Sequence, residues 1–567
     1  MSNLHEICKS TENCNSLFEK AVRNLEIPTC SVFLNNGEIA PVKFKELTDK
    51  IETKDTTKVK EAFPKITTAS KNKALKAVSS AKDKVIGKKV AVLFSGGPAA
   101  GGHNVIVGLK KMFGEANTLY GVKAGPKGLL EGNLFEITNN DIKQITNTGG
   151  FDFLGSDRTK IKNTEQFEQV KQTCMKFDLD AIVVIGGDDS NTNAAILSEF
   201  LFEGIKPDGS GVQVIGVPKT IDGDLQIGDF LPISFGFDTA TKIYSEMVGN
   251  ILQDTPSSRK YWHFIKLMGR SASHVALEVA LQTKPAITII SEEIAEKKMS
   301  LAEISDQIAQ VIVERAKKGI NHGVVLIPEG IIEFIPEINS LITELNEKIA
   351  EFNKELSNMR TNEKRDYIYL KLTAEHAQLM ASLPDYIEDM LLSDRDSHGN
   401  LQVSLIPTEQ LLIDITKRRV KELDSNINLK THNHFFGYEG RCGAPTLFDA
   451  AYTYNLGLTA GALILSGKTG YIASVADLAS GGTPLALPLP GLLNIERRHG
   501  HDEMVIAKAL VKTNSPAFQY FDTKRNDWAS EDKFSSPGPR QLWGPAAKQL
   551  PVTVSLNRDY SNLVFHF

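Results

Sequence analysis

Residues 89–102, KVAVLFSGGPAAGG, join a short apolar run to a glycine-rich loop that leads into the helix-like sequence HNVIVGLKKMF. Two later stretches repeat this order: AIVVI at 181–185 runs into GGDDSN, and VQVIGV at 212–217 runs into PKTIDGD. Near-continuous apolar strands of this kind are typical of a parallel sheet whose two faces are covered by helices. The three stretches therefore predict strands of a doubly wound α/β domain.

The same pattern continues further along the chain, with HFIKLM at 263–268, AITII at 286–290 and GVVLI at 323–327. The fold class is therefore predicted to be α/β, with two Rossmann-like doubly wound parallel-sheet domains. From Ile338 to Met359 apolar residues recur at steps of three and four, which predicts an amphipathic helix. An insertion packed on its own domain is favoured over a partner-binding helix.

These patterns divide the chain into segments of different character. The predicted segments are an N-terminal mainly helical extension (1–88), a first α/β domain (89–260, with later segments returning to it), a second α/β domain (261–332 and 431–510), a helical insertion (333–430) and a C-terminal segment (511–567).

Charge and cysteine content exclude several classes of protein. Lys plus Arg total 64 against 69 Asp plus Glu, a net charge of −5, so no basic field is available for nucleic acid. The five cysteines show no CxxC or zinc-ligand spacing, which favours reduced thiols and a cytoplasmic protein. The first twenty residues contain no apolar signal-peptide core, and no stretch is apolar enough to predict a membrane span.

Polar clusters follow the first three strands, where ligands bind in open α/β sheets. The glycine-rich loop allows backbone amides to approach a phosphate. Asp188 or Asp189 offers a carboxylate for Mg²⁺. Lys219 can neutralise a transferring phosphoryl group, and either Asp222 or Asp224 can serve as the base.

Each of these motifs also has a purely structural interpretation. The glycine-rich loop could be a tight strand-to-helix connection, the adjacent acids could cap a helix, and PKTIDGD could be a turn with solvated charges. No single motif decides between these interpretations.

Taken together and in order, SGGPAAGGHN, IGGDDSNTNA, PKTIDGD, KLMGRSASHVALE, IPEG and GYEGRCGAPTLFD resemble the signature of the phosphofructokinases. The similarity covers about residues 85–510 and is closest to the long, pyrophosphate-dependent branch. It implies phosphoryl transfer from inorganic pyrophosphate to the 1-hydroxyl of fructose 6-phosphate, with Mg²⁺ as cofactor. The first α/β domain would then bind pyrophosphate and Mg²⁺, and the second would bind the sugar phosphate.

The resemblance also implies roles on the donor side. Gly97 would lie against pyrophosphate, Asp188 would bind Mg²⁺, and Asp222 would be the base. Lys219 would stabilise the transferring group. Asp189 stands where ATP users have Gly, and its carboxylate would obstruct and repel the α-phosphate of a nucleotide. Arg158 is similar to an arginine that neutralises the phosphoryl group in ATP users.

On the acceptor side, Arg270 and Arg441 suit a 6-phosphate because a guanidinium group binds phosphate oxygens in a fork. Lys260 and Tyr261 are implied to reach the site of a neighbouring subunit, so a homodimer or higher homo-oligomer with shared active sites is expected. The implied sugar-phosphate residues are Thr220, Asp222, Lys260, Tyr261, Met268, Gly269, Arg270, Glu329, Tyr438, Glu439, Gly440 and Arg441.

Two positions depart from the family pattern: Gly223 replaces a common Asn and Ala100 a common Pro. Neither change removes a charged group, so activity is expected to survive, with a looser substrate pocket around Gly223. Two rival interpretations remain, an ATP-dependent phosphofructokinase and a non-catalytic regulatory subunit. Asp188, Lys219 and Asp222 argue against the second, because a regulatory chain needs no base.

Overall fold

The protein is built around a large mixed sheet and a smaller parallel sheet. The structure, a computed structural model, describes residues 17–79, 86–356, 359–392, 405–498, 501–542, 544 and 549–559. The described strands are β1 (Leu34–Asn35), β2 (Glu38–Ile39), β3 (Val42–Lys50), β4 (Lys73–Ser79), β5 (Lys89–Ser95), β6 (Thr118–Val122), β7 (Leu134–Glu136), β8 (Ser156–Asp157), β9 (Ala181–Gly186), β10 (Gln213–Thr220), β11 (Phe235–Gly236), β12 (Trp262–Leu267), β13 (Ile287–Thr288), β14 (Gly323–Pro328), β15 (Thr431–Phe436), β16 (Tyr471–Ala476), β17 (Thr483–Pro488), β18 (Leu493–Arg498) and β19 (His501–Ile506).

The large sheet has the strand order β3-β4-β17-β16-β10-β9-β5-β6-β7, with β8 beside β5 and β11 beside β10. Its central strands, from β16 to β6, are parallel, and antiparallel strands close both edges. The smaller sheet has the order β13-β14-β12-β15 and is parallel throughout. Every residue of β9, β12, β14 and β16 is buried, which explains their near-continuous apolar sequences. The α/β prediction with two sheets is confirmed.

Helices connect and cover these strands. The described α-helices are Leu17–Arg23, Thr56–Ala62, Pro64–Ser70, Gly102–Phe113, Gly125–Glu131, Asn139–Ile145, Thr164–Lys176, Asp188–Phe200, Phe237–Ser258, His274–Thr283, Ser291–Lys297, Leu301–Lys317, Pro336–Glu351, Asn353–Leu356, Thr361–Tyr369, Ala374–Ser382, Asp385–Leu391, Thr408–Leu423, Leu447–Leu465, Pro516–Glu531 and Val552–Asn557. In the part of the chain that the structure describes, none of them combines the length and hydropathy needed to cross a bilayer.

The N-terminal extension, predicted to be mainly helical, also contributes strands. β3 pairs antiparallel with β4, and β4 pairs with β17 at the edge of the large sheet. Leu75 and Ala77 of β4 are buried, whereas Lys76 is exposed. β4 is paired on both sides, so β3 is the edge strand of the large sheet. Its exposed Lys43, Lys45 and Lys50 discourage pairing with other chains.

The segment 431–510, predicted to belong to the second domain, is divided between the two sheets. β15 joins the smaller sheet beside β12. β16 returns to the large sheet beside β10, and β17 pairs with the other side of β16. The insertion is helical in its described residues, and the amphipathic helix starting at Pro336 ends at Glu351, before the shorter helix Asn353–Leu356.

Candidate active site

The strand ends of the two sheets line one cavity of about 630 Å³. Gly97 follows β5, Asp188 follows β9 and Asp222 follows β10, whereas Met268 follows β12 and Glu329 follows β14. Parallel strands present their carboxyl ends at one edge, so residues distant in sequence meet there. The predicted site residues that line the cavity are Gly97, Arg158, Asp188, Asp189, Lys219, Thr220, Asp222, Met268, Arg270, Glu329, Tyr438 and Arg441.

The glycine-rich loop contacts an arginine from the other sheet. A Cβ atom at Gly97 would lie 2.8 Å from Nη1 of Arg441, so a larger residue would displace the guanidinium group. The same nitrogen donates to the carbonyl oxygen of Pro98 at 3.3 Å. Gly96 has a φ of 84°, a left-handed conformation that glycine adopts readily. The loop therefore brings partly buried backbone and a cationic side chain together.

Lys219, the last residue but one of β10, is only 6% exposed. Burial, together with the nearby Arg441 charge, lowers the pKa of its ammonium group to about 8, while Asp222 and Asp188 oppose this shift. Its Nζ lies 3.4 Å from the position of a Cβ at Gly96. An ammonium group held against the glycine-rich loop can stabilise a phosphate bound there.

The two candidate bases differ in their surroundings. Asp224 is 6% exposed, and burial next to Asp222 and Asp188 raises its pKa to about 7. Asp222 is only partly buried, and its backbone N–H donates to Oγ1 of Thr220 at 3.1 Å. The more accessible Asp222 carboxylate is the better placed of the two to meet a substrate hydroxyl, a choice that the spacing of the motif leaves open.

On the side of the smaller sheet, Glu329 is buried and Oε2 accepts a hydrogen bond from the backbone N–H of Gly269 at 2.9 Å. Burial raises the pKa of the Glu329 carboxyl. Nε of Arg441 lies 3.1 Å from Sδ of Met268, and Tyr438, with 72% exposure, stands at the open side of the cavity. These residues place a guanidinium group, a buried carboxyl group and an apolar side chain on one side of the cavity.

Five predicted residues do not line the cavity: Gly269, Lys260, Tyr261, Glu439 and Gly440. Gly269 contributes only its backbone N–H, which donates to Glu329. Glu439 accepts a hydrogen bond from the backbone N–H of Gly437 at 2.8 Å, and a Cβ at Gly440 would lie 2.6 Å from the Tyr244 ring. Both therefore support the loop that carries its neighbours Tyr438 and Arg441.

Lys260 and Tyr261 precede β12, whose other end reaches the cavity. Six strand residues span about 20 Å, so these two side chains are remote from the site of their own chain. Nζ of Lys260 lies 5.1 Å from the centre of the Tyr261 ring, which in turn packs 4.5 Å from the His432 ring.

A family model described as phosphofructokinase matches residues 89–464. The chain belongs to the phosphofructokinase family. Among its relatives, a pyrophosphate-fructose 6-phosphate 1-phosphotransferase of Porphyromonas gingivalis is 47% identical over 470 residues, covering 80% of this chain and 84% of that protein. The beta subunit of a protein of the same name from Ricinus communis is 45% identical over 485 residues, covering 82% and 84%.

Solved structures share the fold of this phosphofructokinase. A pyrophosphate-dependent phosphofructokinase from Nitrosospira multiformis has a TM-score of 0.51 at 16% identity, covering 83% of this chain and 96% of that one. A phosphofructokinase from Saccharomyces cerevisiae has a TM-score of 0.50 at 17% identity, covering 84% and 50%. At this identity the likeness concerns the fold alone.

In this phosphofructokinase the oxygen ligands that line the cavity suit a Mg²⁺ ion that is also bound to a phosphate. Within the described ranges, no group of three or more His, Cys, Asp or Glu residues is arranged to hold a metal ion. Mg²⁺ in phosphoryl-transfer sites is commonly held by one or two carboxylates, water and substrate phosphates. Asp188, at the start of the helix Asp188–Phe200, lines the cavity, and its carboxylate would supply one oxygen ligand of that kind.

Sequence reasoning missed several residues that line the cavity. Nζ of Lys508 donates to Oγ of Ser271 at 2.6 Å, although Lys508 lies in a stretch without a recognisable motif. The surrounding sequence, VIAKALV at 505–511, is an apolar run with one charge. It gives no indication that Lys508 lines the cavity. The other missed lining residues are Ser95, Gly96, Thr159, Lys160, Gly187, Ser190, Asn193 and Ser271.

Proposed function

We propose that this phosphofructokinase transfers a phosphoryl group from inorganic pyrophosphate to the 1-hydroxyl of fructose 6-phosphate. The products are fructose 1,6-bisphosphate and phosphate. The observation that carries the proposal is that Lys219, Asp189 and Asp222 line one cavity beside the glycine-rich loop. The names of the relatives from Porphyromonas gingivalis and Ricinus communis state the same two substrates.

Asp222 is the base in the proposed reaction. Its carboxylate accepts the proton of the 1-hydroxyl while that oxygen attacks one phosphorus atom of pyrophosphate and the bridging P–O bond breaks. Lys219 and the backbone of the Gly97 loop stabilise the charge on the transferring group and on the departing phosphate. Mg²⁺ held by Asp188 would neutralise further negative charge on the phosphate oxygens.

Asp189 selects the donor. It is exposed and is the second residue of the helix Asp188–Phe200, so its carboxylate stands at the surface of the cavity. A nucleotide would place its α-phosphate and sugar beyond the two reacting phosphates, where this carboxylate repels them. A helix N-terminus also favours an acid for structural reasons, so a variant is needed to separate the two roles.

On the acceptor side, Arg270 and Arg441 bind the 6-phosphate, and Glu329 accepts a hydrogen bond from a sugar hydroxyl. Lys260 and Tyr261, remote from the cavity of their own chain, complete the site of a second subunit. The active form is accordingly a homodimer or a higher homo-oligomer with shared sites. A cytoplasmic location stays a prediction from the cysteine pattern.

The reaction is expected to be reversible and to serve glycolysis and gluconeogenesis, because the phosphoanhydride donor yields inorganic phosphate rather than a nucleotide. Formation of pyrophosphate from fructose 1,6-bisphosphate and phosphate tests this directly. An undetectable reverse rate would contradict it.

The sequence left two other functions open, ATP-dependent transfer and the role of a regulatory subunit. A relative named subunit alpha 2 from Arabidopsis thaliana is 34% identical, against 46% for subunit beta 2 of the same plant. The chain is therefore more similar to the beta subunit.

The deciding experiment measures turnover of fructose 6-phosphate with Mg²⁺ and either pyrophosphate or ATP as sole donor. Purified wild type is compared with Asp189→Gly. We expect turnover with pyrophosphate only in wild type and partial acceptance of ATP in the variant. Turnover of wild type with ATP would overturn the donor assignment, and no turnover with either donor would favour the regulatory subunit.

A further inference from the structure

Lys508 brings a positive charge into the cavity from outside the part of the chain that matches the family model, residues 89–464. Its Nζ donates to Oγ of Ser271 at 2.6 Å and lies 3.9 Å from Oδ2 of Asp188. It therefore stands between the acid proposed to hold Mg²⁺ and the loop of the smaller sheet that carries Arg270.

The backbone around Lys508 is anchored to both sides of the cavity. The N–H of Ile506 donates to Oγ1 of Thr192 at 3.1 Å, and the N–H of Ala509 donates to the carbonyl oxygen of Asp224 at 2.7 Å. Thr192 lies in the helix after β9, and Asp224 lies in the loop after β10. The segment is thereby attached to the two elements that carry the donor-side residues.

A second pair of contacts holds the other end of the segment. The carbonyl oxygen of Ala509 lies 2.8 Å from Nε2 of His274, and the N–H of Val511 donates to Oε1 of the buried Glu292 at 3.0 Å. Four backbone contacts within six residues fix the Cα position of Lys508, although its side chain remains 33% exposed to the cavity. Because these backbone contacts already hold the segment, the side chain of Lys508 is not needed to keep it in place.

The ammonium group of Lys508 is not fully engaged by Asp188. A charge-assisted N–H···O hydrogen bond is typically about 2.7 to 2.9 Å long, which is shorter than the 3.9 Å between these groups. A lysine has three N–H donors. An anion that enters between Lys508 and Asp188, together with its metal ion, can therefore bind both without breaking a tight ion pair.

We propose that Lys508 is a pyrophosphate-binding residue, which donates to a phosphate oxygen of the donor bound at Asp188. This inference rests on the proposed function, because it names pyrophosphate as the ligand. The donor is favoured over the 6-phosphate of the sugar because Asp188, Thr192 and Asp224 all belong to elements that follow the strands of the large sheet. Arg270 and Arg441 already supply cations for the 6-phosphate.

The test measures binding of imidodiphosphate, an analogue of pyrophosphate that is not transferred, by calorimetry with Mg²⁺ present. Lys508→Met, which removes the charge but keeps most of the side-chain volume, is compared with wild type and Lys508→Arg. Lys512→Met is the matched control, because Lys512 is exposed, lies on the same segment and does not line the cavity. Thermal unfolding of each variant shows that it is folded.

Loss of one charged hydrogen bond predicts about 10- to 100-fold weaker binding of imidodiphosphate by Lys508→Met. Partial recovery is expected in Lys508→Arg, with no change in Lys512→Met or in the affinity of any variant for fructose 6-phosphate. Unchanged imidodiphosphate affinity in Lys508→Met, or weakened fructose 6-phosphate affinity alone, would overturn the inference. Wild type that binds no imidodiphosphate would overturn the proposed function itself and the inference with it.

Discussion

Gly223 separates the acids Asp222 and Asp224 with a φ of 73°. A Cβ atom there would lie 2.8 Å from the Phe237 ring and 3.1 Å from Cβ of His274. The backbone at Gly223 is therefore left-handed and its surroundings are crowded. The sequence predicted a looser pocket because Gly replaces a common Asn here, but Phe237 and His274 occupy the space beside Gly223.

We expect Gly223→Ala to lower the free energy of unfolding by about 1 to 3 kcal/mol more than Gly209→Ala does. Gly209 is the matched control because its φ is 82° but nothing lies within 4 Å of its Cβ position. Urea unfolding of both variants measures the difference. Equal losses would show that crowding has no effect, and a sharply higher kcat for Gly223→Asn would contradict the expectation that activity tolerates glycine here.

The second prediction for single residues concerns which of Asp222 and Asp224 is the base. Asp222→Asn is expected to lower kcat by about 10²- to 10⁴-fold with little change in KM for fructose 6-phosphate, because asparagine keeps the size and one oxygen of the aspartate side chain but cannot act as the base. Asp224→Asn is expected to have a smaller effect, since Asp224 is buried. Steady-state kinetics of the two variants decide the assignment. A loss in Asp224→Asn as large as in Asp222→Asn would refute it.

At the scale of elements, the helices Gly102–Phe113 and Leu447–Leu465 cross at glycines. Cβ atoms at Gly108 and Gly457 would overlap backbone atoms of the opposite helix, at Tyr454 and Val105 respectively. The absence of side chains allows close approach of the two backbones, and this contact holds the Gly97 loop, which precedes the first helix, against the rest of the large sheet.

Gly108→Ala is therefore expected to destabilise the protein by about 1 to 3 kcal/mol or more, even though alanine favours a helix intrinsically. Lys111→Ala, an exposed substitution in the same helix, is the control and should be close to neutral. Thermal and urea unfolding provide the measurement. A stabilised Gly108→Ala variant would mean that the helices are not in backbone contact.

At the scale of the whole molecule, the distance of Lys260 and Tyr261 from their own cavity makes a shared site testable. In a symmetric dimer with shared sites, one chain carrying Lys260→Ala and one carrying Asp222→Asn form a single intact site between them. Random association then predicts about a quarter of the wild-type activity from an equal mixture of the two chains, unfolded and refolded together.

Each variant refolded alone provides the baseline, because neither homodimer contains an intact site. If Lys260 acted within its own chain, the mixture would be no more active than the average of these two baselines. That result would remove Lys260 from the shared site, and it would leave the assignment of Asp222 untouched.

The sequence by itself determined the strands that carry the site and the loops that follow them. Each of these strands is a short apolar run buried on both faces, and its sequence is dictated by local surroundings. Gly97, Asp188, Lys219 and Asp222 could therefore be placed together from the rule that ligands bind at the carboxyl ends of parallel strands. Glu329 and Arg441 were assigned to the same site only through the resemblance to the phosphofructokinases.

The tertiary structure alone decided the return of β16 and β17 to the large sheet, the addition of β3 and β4 to its edge, and the position of Lys508. These features depend on pairings and hydrogen bonds between segments far apart in the chain, such as that of Ala509 with Asp224. A local pattern records the burial of a strand but not the partner it pairs with, because any apolar strand of suitable length satisfies the same backbone hydrogen bonds.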